Sequence, residues 1–398
     1  MTRSHADCDV VIIGGCGHAG LPLAIAFADR GLSVIIFDID EAAVAQVNAA
    51  VLPFDEVDGA AKLGRAVARG VLRASTDPSV VALGANVIVV VGTPIDDDLR
   101  PDEEAVPRAL RTCLPYLHDG QLLVLRSTVM PGVTRTVEEM LDAAGLAVDV
   151  AFCPERISQG NALTELFELP QLVSGRNEAS RGRAAKLFGL LTEHVIELEP
   201  EEAELAKLFT NTWRYLKFAA VNEFFTIADR RGLDFERIRQ ALMQDYPRAA
   251  DMPPAGFAAG PCLLKDTMQL AAFTEGTFAL GLAAMRVNEG LPDYVVSTLE
   301  RDHDLTDLTV GILGAAFKAE SDDIRSSLAY RLKAIAATKA RRVLMTDPYV
   351  TVDPDLVPVE QVLAEADVLV VATPHAQYRG LRTDKPVADV WCILGRNS

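Results

Sequence analysis

The sequence predicts an α/β protein: two sheets of parallel strands joined by a long central helix and a helical middle region. Three observations carry this reading. Short, continuously apolar, β-rich runs alternate with helix-length amphipathic stretches from Asp9 to about Val195. A helical period then holds from about Glu201 to Arg231. Alternating strand and helix patterns return from Asp307 onward.

The first strands are expected at Val10–Ile13, Ser33–Phe37, Asn86–Val91, Leu122–Leu125 and Val148–Phe152. Runs apolar at nearly every position mean strands covered on both faces, as in a parallel sheet packed between helices. In the next stretch Leu205, Leu208, Phe209, Thr212, Leu216, Ala219, Glu223 and Ile227 recur at three- and four-residue steps, the spacing of one helix face. A helix of ~30 residues spans ~45 Å, enough to join domains and carry a subunit contact. More helix is expected to about Glu300, interrupted by the Pro- and Gly-rich Met252–Pro261. The last part echoes the first: Ala366–Pro374 resembles Ala85–Pro94, and Val343–Asp347 resembles Val34–Asp38. The expected domains are therefore 1–199, 200–304 and 305–398.

A chain of 398 residues exceeds one compact core. With 49% hydrophobic and 24% charged residues it is a globular protein, which excludes global disorder. The 38 basic and 56 acidic residues leave −18, a field that repels phosphate backbones, so no nucleic-acid partner is expected. A local cradle of amides and cations can still hold a small anion. The N-terminal residues lack a leader's apolar segment, and no apolar run approaches the ~20 residues of a membrane span. The expectation is a cytoplasmic protein with no membrane partner. Cysteines 8, 16, 113, 153, 262 and 392 show no paired short spacings, so reduced thiols and no metal site are expected.

Gly15-Cys16-Gly17-His18-Ala19-Gly20 follows the first strand and precedes a helix. Its glycines permit a tight turn, backbone approach to a pyrophosphate and close helix–strand packing, the signature of a Rossmann-like dinucleotide-binding domain. Asp38 ends the second strand, where a carboxylate accepts from the adenosine ribose and favours NAD over NADP. Three later strands end in polar clusters: Gly92-Thr93-Pro94, Ser127-Thr128, and Cys153-Pro154-Glu155-Arg156. Each alone is also ordinary turn chemistry; beside a nucleotide site they read as an active-site floor. Glu204, Lys207 and Asn211 share one helix face apart from the apolar stripe, either a solvated face or a functional one. Cys262 leaves a glycine-rich loop ahead of Lys265, Asp266 and a helix start. A cation and a helix N-terminus favour the thiolate that attacks carbonyls. The alternatives are a small core cysteine, with Asp266 as an N-cap and Gln269 completing a capping box.

In this order the motifs resemble the nucleotide-sugar 6-dehydrogenases, the family of UDP-glucose, GDP-mannose and UDP-N-acetylmannosamine dehydrogenases. The resemblance runs from Val10 to about Asp389 and includes Phe317-Lys318 and Asp322-Asp323-Ile324-Arg325-Ser326. It implies two Rossmann-like domains, a homodimer through the central helix, and NAD-dependent, four-electron oxidation of a sugar C6 alcohol to the uronic acid. By resemblance Cys262 is the nucleophile, passing through a thiohemiacetal and a thioester. Lys207 and Asn211 stabilise the oxyanion, and Lys207 assists proton removal. Asp266 is the base acting through a water that Thr128 and Glu155 position. The resemblance places Gly15–Gly20, Asp38, Thr93, Ser127, Thr128, Lys265 and Arg325 against NAD. It places Glu155, Arg156, Lys207, Asn211, Arg248, Phe257, Gly260 and Lys318 against the nucleotide-diphosphate sugar, Arg248 reaching the partner subunit's site.

Three positions depart from the family pattern. Gln159 stands where many members carry an acid, His18 replaces an aromatic or apolar residue, and Trp391 stands where many carry an arginine. The Cys153–Arg156 motif resembles the UDP-N-acetylhexosamine branch, whereas Cys262–Asp266 resembles the UDP-glucose and GDP-mannose branches. The competing enzyme reading is a two-electron, 3-hydroxyacid-type NAD-dependent dehydrogenase, which needs neither Cys262 nor a second α/β domain. A catalytically silent NAD-binding protein needs none of the Lys207, Asn211, Cys262 and Asp266 set.

Overall fold

The computed structural model describes residues 8–96 and 98–394; the seven N-terminal residues, on which the leader reading rests, lie outside them. The chain forms two compact units, 1–209 and 210–398. Strands β1 (Cys8–Ile13), β2 (Val34–Phe37), β3 (Leu72–Ser75), β4 (Gly84–Val89), β5 (Leu122–Leu125), β6 (Asp149–Phe152), β7 (Gln171–Gly175) and β8 (Val195–Leu198) make the first sheet. Their order is β3-β2-β1-β4-β5-β6-β7-β8. The first six strands are parallel; β7 pairs antiparallel with β6, and β8 follows β7.

Helices α1 (Gly20–Asp29), α2 (Glu41–Asn48), α3 (Gly59–Ala68), α4 (Ala105–Cys113), α5 (Val133–Ala143), α6 (Ala162–Glu168) and α7 (Glu178–Phe188) connect these strands. The apolar runs feed two cores. Val10, Ile12, Ile36, Ile88 and Val124 pack on one side of the sheet. Val11, Ile13, Ile35, Val89 and Leu125 pack on the other. Alternate side chains of one strand point to opposite faces, so only a run apolar throughout serves both.

Helix α8 (Pro200–Asp229) is a single 30-residue helix. Only part of the stripe the periodicity suggests is buried, through Leu208, Thr212 and Ala219. Phe209 and Ile227 are 52% and 60% exposed, whereas Glu204, Lys207 and Asn211 are buried. Glu204 explains the first turns. Helix α5 is preceded by Gly132, which has no side chain to cap it, and Glu204 supplies the missing acceptor. One oxygen takes the Gly132 N–H at 2.7 Å; the other takes the Thr134 N–H at 2.9 Å and hydroxyl at 2.6 Å. Burial pushes the Glu204 pKa up while these donors pull it down.

In the second unit the distal part of α8 packs with α9 (Phe235–Met243), α10 (Leu263–Phe273) and α11 (Ala279–Asp302). The second sheet has β9 (Thr309–Leu313), β10 (Arg342–Thr346), β11 (Val368–Val371) and β12 (Val387–Asp389), with helices α12 (Leu328–Ala337) and α13 (Val359–Glu365). Its order β10-β9-β11-β12 is all parallel and repeats β2-β1-β4-β5, which is what the sequence echo anticipates. Val221 and Phe225 of α8, Leu291 and Val295 of α11, and Val310, Ile312 and Val370 of the sheet share one core.

Replacing Glu204 with alanine leaves buried N–H groups without an acceptor. Glu204→Ala should lower the unfolding free energy by about 1–3 kcal/mol, read as a lower urea midpoint; an unchanged midpoint would show that the cap is dispensable.

Candidate active site

In an open α/β sheet, ligands sit beyond the carboxyl ends of the strands, and the polar motifs of the first unit lie there. The Gly14 N–H bonds to Phe37 O at 2.8 Å and the Leu21 N–H to Gly17 O at 3.0 Å, which shapes the turn between β1 and α1. Asp38 accepts the Cys16 N–H on Oδ2 at 2.9 Å and the Asp40 N–H on Oδ1 at 3.2 Å, fixing the carboxylate against the glycine turn. A Cβ at Gly20 would fall 2.5 Å from Gly15 Cα, so the helix starts tight on the turn. A Cβ at Gly17 would meet nothing within 4 Å. That open side, with helix amides behind it, fits a dinucleotide pyrophosphate. The His18 ring stacks on Phe54, centroids 4.2 Å apart. Cys16 is buried; burial first, then Asp38 and Asp40, pushes its thiol up to about 12, so it contributes backbone here, not thiolate.

Thr93 and Ser127 are buried and Thr128 half-buried. The Ser127 hydroxyl accepts the Val91 N–H at 2.8 Å, joining the ends of β4 and β5. Glu155 is held more completely. Oε2 accepts Arg126 Nε at 2.8 Å and Nη2 at 2.6 Å; Oε1 accepts the Arg156 N–H at 2.7 Å and the Ile157 N–H at 3.1 Å. Four donors thus fix the Glu155 carboxylate to the turn that follows β6. Arg156 bonds to Pro170 O. Arg126, which the sequence reading passed over, has a fully buried side chain. It also donates to Cys153 O at 3.0 Å and Gln171 at 3.2 Å and lies over the Phe188 ring. Its only sequence signal is a charge directly after the apolar run Leu122–Leu125.

Helix α8 carries Lys207, buried, into the end of the first unit and Asn211 into the start of the second. Asn211 Nδ2 donates to Asp266 Oδ2 at 2.5 Å, and Lys265 Nζ reaches Oδ1 at 2.6 Å. Asp266 is fully buried and bound to these two side chains, so it is not the N-cap of α10. That position belongs to Cys262, whose C=O accepts the Asp266 N–H at 2.9 Å. Cys262 is exposed, whereas Cys8, Cys16, Cys113 and Cys153 are buried. Burial pushes Cys153 up to about 12 and Cys113 to about 11. A thiol at a helix N-terminus meets the positive end of the dipole, which favours thiolate.

The remaining positions divide. Gly260 N–H bonds to Ser326 O at 3.2 Å, which brings the cysteine loop to the Asp322–Ser326 segment. Arg325 forks onto Asp323, Nη2 to Oδ2 at 2.6 Å, and this pair raises its pKa further. Lys318 follows the turn after β9. Arg248 lies on the exposed turn 247–249 and donates to the Tyr246 hydroxyl at 3.3 Å. The Phe257 ring is 3% exposed in the core with Val221 and Phe225.

The glycine turn, its bonded acid and the doubly wound sheet define a dinucleotide-dependent dehydrogenase as the class. Comparison with known proteins specifies it. Residues 9–191 match the NAD binding domain of the UDP-glucose/GDP-mannose dehydrogenase family, 201–289 its central domain, and 311–396 its UDP binding domain. The chain is 30% identical to the UDP-N-acetyl-D-mannosamine dehydrogenase of Pyrococcus horikoshii, covering 97% of this chain and 95% of that protein. It is 29% identical to the NDP-N-acetyl-D-galactosaminuronic acid dehydrogenase of Ralstonia nicotianae, covering 95% and 94%. The solved UDP-glucose dehydrogenase of Pyrobaculum islandicum superposes with a TM-score of 0.90 at 28% identity over 99% of this chain and 96% of that one. The chain belongs to the UDP-glucose/GDP-mannose dehydrogenase family and is an NAD-dependent nucleotide-sugar dehydrogenase.

Asp38 gives a direct test of the cofactor site. Asp38→Ala should weaken NAD binding about tenfold or more, the worth of a charge-assisted hydrogen bond, by calorimetric titration. The unaltered protein should strongly prefer NAD over NADP; equal kcat/KM for both would overturn the role of Asp38.

Proposed function

We propose that this protein oxidises the C6 alcohol of a UDP sugar, of the UDP-N-acetylmannosamine or UDP-glucose type, to the uronic acid in a four-electron reaction through Cys262. The supporting observation is the exposed Cys262 at the start of α10, one turn ahead of an Asp266 carboxylate held by Asn211 and Lys265. The UDP sugars named for the similar dehydrogenases support the sugar class, as does a UDP binding domain at 311–396.

Gly15–Gly20 and Asp38 would hold NAD, and a separate NAD molecule would accept the hydride of each of the two oxidations. Lys207 takes the proton from the C6 hydroxyl as the first hydride leaves. The Cys262 thiolate adds to the aldehyde carbon, and Lys207 and Asn211 donate to the oxygen that gains charge. Loss of the second hydride leaves a thioester on Cys262. Asp266 deprotonates the water that displaces the thiolate, and Thr128 and Glu155, the latter held by Arg126, position that water. Lys318 contacts the diphosphate. A two-electron dehydrogenase has no use for Cys262, so product stoichiometry separates the readings.

The site works within a homodimer in the cytoplasm. Phe209, Trp213, Phe224 and Ile227 are 48–60% exposed along α8, an apolar stripe that a second copy would cover. Arg248, exposed on its turn, then enters the partner's site.

Two experiments test the proposal. The wild type should yield two NADH per sugar oxidised. Cys262→Ala should lose acid formation yet still reduce the nucleotide-sugar 6-aldehyde with NADH; normal acid production by this variant would remove the covalent mechanism. Mixed dimers of Arg248→Ala and Cys262→Ala subunits should recover part of the activity, because one of their two sites has both wild-type groups. No recovery in verified mixed dimers would place Arg248 outside the partner's site.

A further inference from the structure

The loop that carries Cys262 is fastened at two glycines. Gly256 pairs on both backbone groups with Asn222 of α8: its N–H donates to Oδ1 at 2.9 Å and its C=O accepts from Nδ2 at 3.0 Å. Asn222 Nδ2 also donates to Asn288 Oδ1 at 2.9 Å, and Asn288 Nδ2 donates to Tyr215 O at 3.1 Å. Both asparagines are fully buried. Two amides in an apolar helix interface, each satisfied by the other and by backbone, define a single loop position, because any other leaves buried polar groups unpaired.

The second fastening comes from the far end of the chain. A Cβ at Gly256 would overlap the six-membered ring of Trp391, so the indole lies directly on the glycine. Trp391 follows β12, donates its Nε1 hydrogen to Ala372 O at 3.0 Å, and packs against the apolar cores on both sides of the second sheet. Four residues on, a Cβ at Gly260 would fall 2.6 Å from the Phe317 ring, and the Gly260 N–H is held by Ser326 O. Cys262 comes two residues after that.

We propose that Trp391 is a positioning residue for Cys262: with Asn222 it clamps Gly256 and sets the loop that presents the thiol at the head of α10. This rests on the reading of Cys262 as the nucleophile. The clamp makes the last strand of the C-terminal sheet part of the thiol's support. A thiol held loosely would still leave alcohol and aldehyde interconversion in place, since only the thioester branch needs sulfur at the carbonyl.

Trp391→Leu and, from the other fastening, Asn222→Ser test this independently of each other. Hydrogen–deuterium exchange of the peptide spanning 256–262 should quicken about tenfold or more in each, while the peptide spanning the 14–20 turn is unchanged. Acid formation should fall about tenfold or more in kcat with KM for NAD unaltered, while reduction of the 6-aldehyde by NADH is kept. Trp391→Phe, which keeps a ring on Gly256, should restore both to within about threefold. Unchanged exchange in either folded variant, or parallel loss of acid formation and aldehyde reduction, would overturn the clamp. Acid formation by Cys262→Ala would instead overturn the nucleophile reading, with the exchange data still deciding whether Trp391 and Asn222 hold the loop.

Discussion

A carboxylate leaves water only where donors replace its hydration, and Glu204 meets that condition by ending another helix. Its three hydrogen bonds cap α5, whose first residue follows a glycine, and in doing so they lock the first turns of α8 to the loop after β5. From that anchor α8 runs unbroken to Asp229, carrying Lys207, Asn211 and Asn222 on its buried face. These polar side chains share one helix, bonded at its first turns through Glu204 and packed further along through Tyr215, Ala219, Val221 and Phe225 in apolar cores.

The two sheets repeat one device and diverge in its use. In the first, Asp38 at the end of β2 accepts an N–H from the glycine turn, and the turn stays open toward a ligand at Gly17. In the second, Asp347 at the end of β10 accepts the Ala315 and Ala316 N–H groups. There, buried His375 takes the same carboxylate through Nε2 at 3.0 Å while its Nδ1 accepts the Glu320 N–H. That pattern fixes the Nε2–H tautomer and closes the carboxylate to outside partners. A duplicated topology thus yields one acid bonded to an open glycine turn and one serving as a structural bolt.

The apolar runs located β1, β2, β4, β5 and β6 because each feeds a core on both faces. Strands β3 and β8 gave no such run, since they form the sheet's edges and expose residues such as Arg73 and Glu197. Strand β7 is buried throughout but contains Gln171 and Ser174, made tolerable by Arg126 and by Phe152 O, partners distant in sequence. The same limit governs the site. The glycine turn and Asp38 are local and were legible; so was the spacing of Cys262 and Asp266. The burial of Glu204, the pairing of Glu155 with Arg126 and the seat of Trp391 on Gly256 all depend on long-range pairing, which no spacing rule contains. Helical period was readable along α8, but not which residues turn inward, because Glu204, Lys207 and Asn211 are buried together with Leu208 and Tyr215 while Phe209 and Ile227 are exposed.

The chain has two tryptophans, and the fold puts them at unlike stations. Trp213 stands 60% exposed on the outer face of α8, whereas Trp391 is wedged against Gly256 with its Nε1 hydrogen bonded to a carbonyl. Indole emission moves to the blue as water is removed from the ring. Each single-tryptophan form of the protein is therefore an intrinsic optical sensor, one of whether the long helix is covered and the other of whether the cysteine loop is seated. Neither needs an added dye.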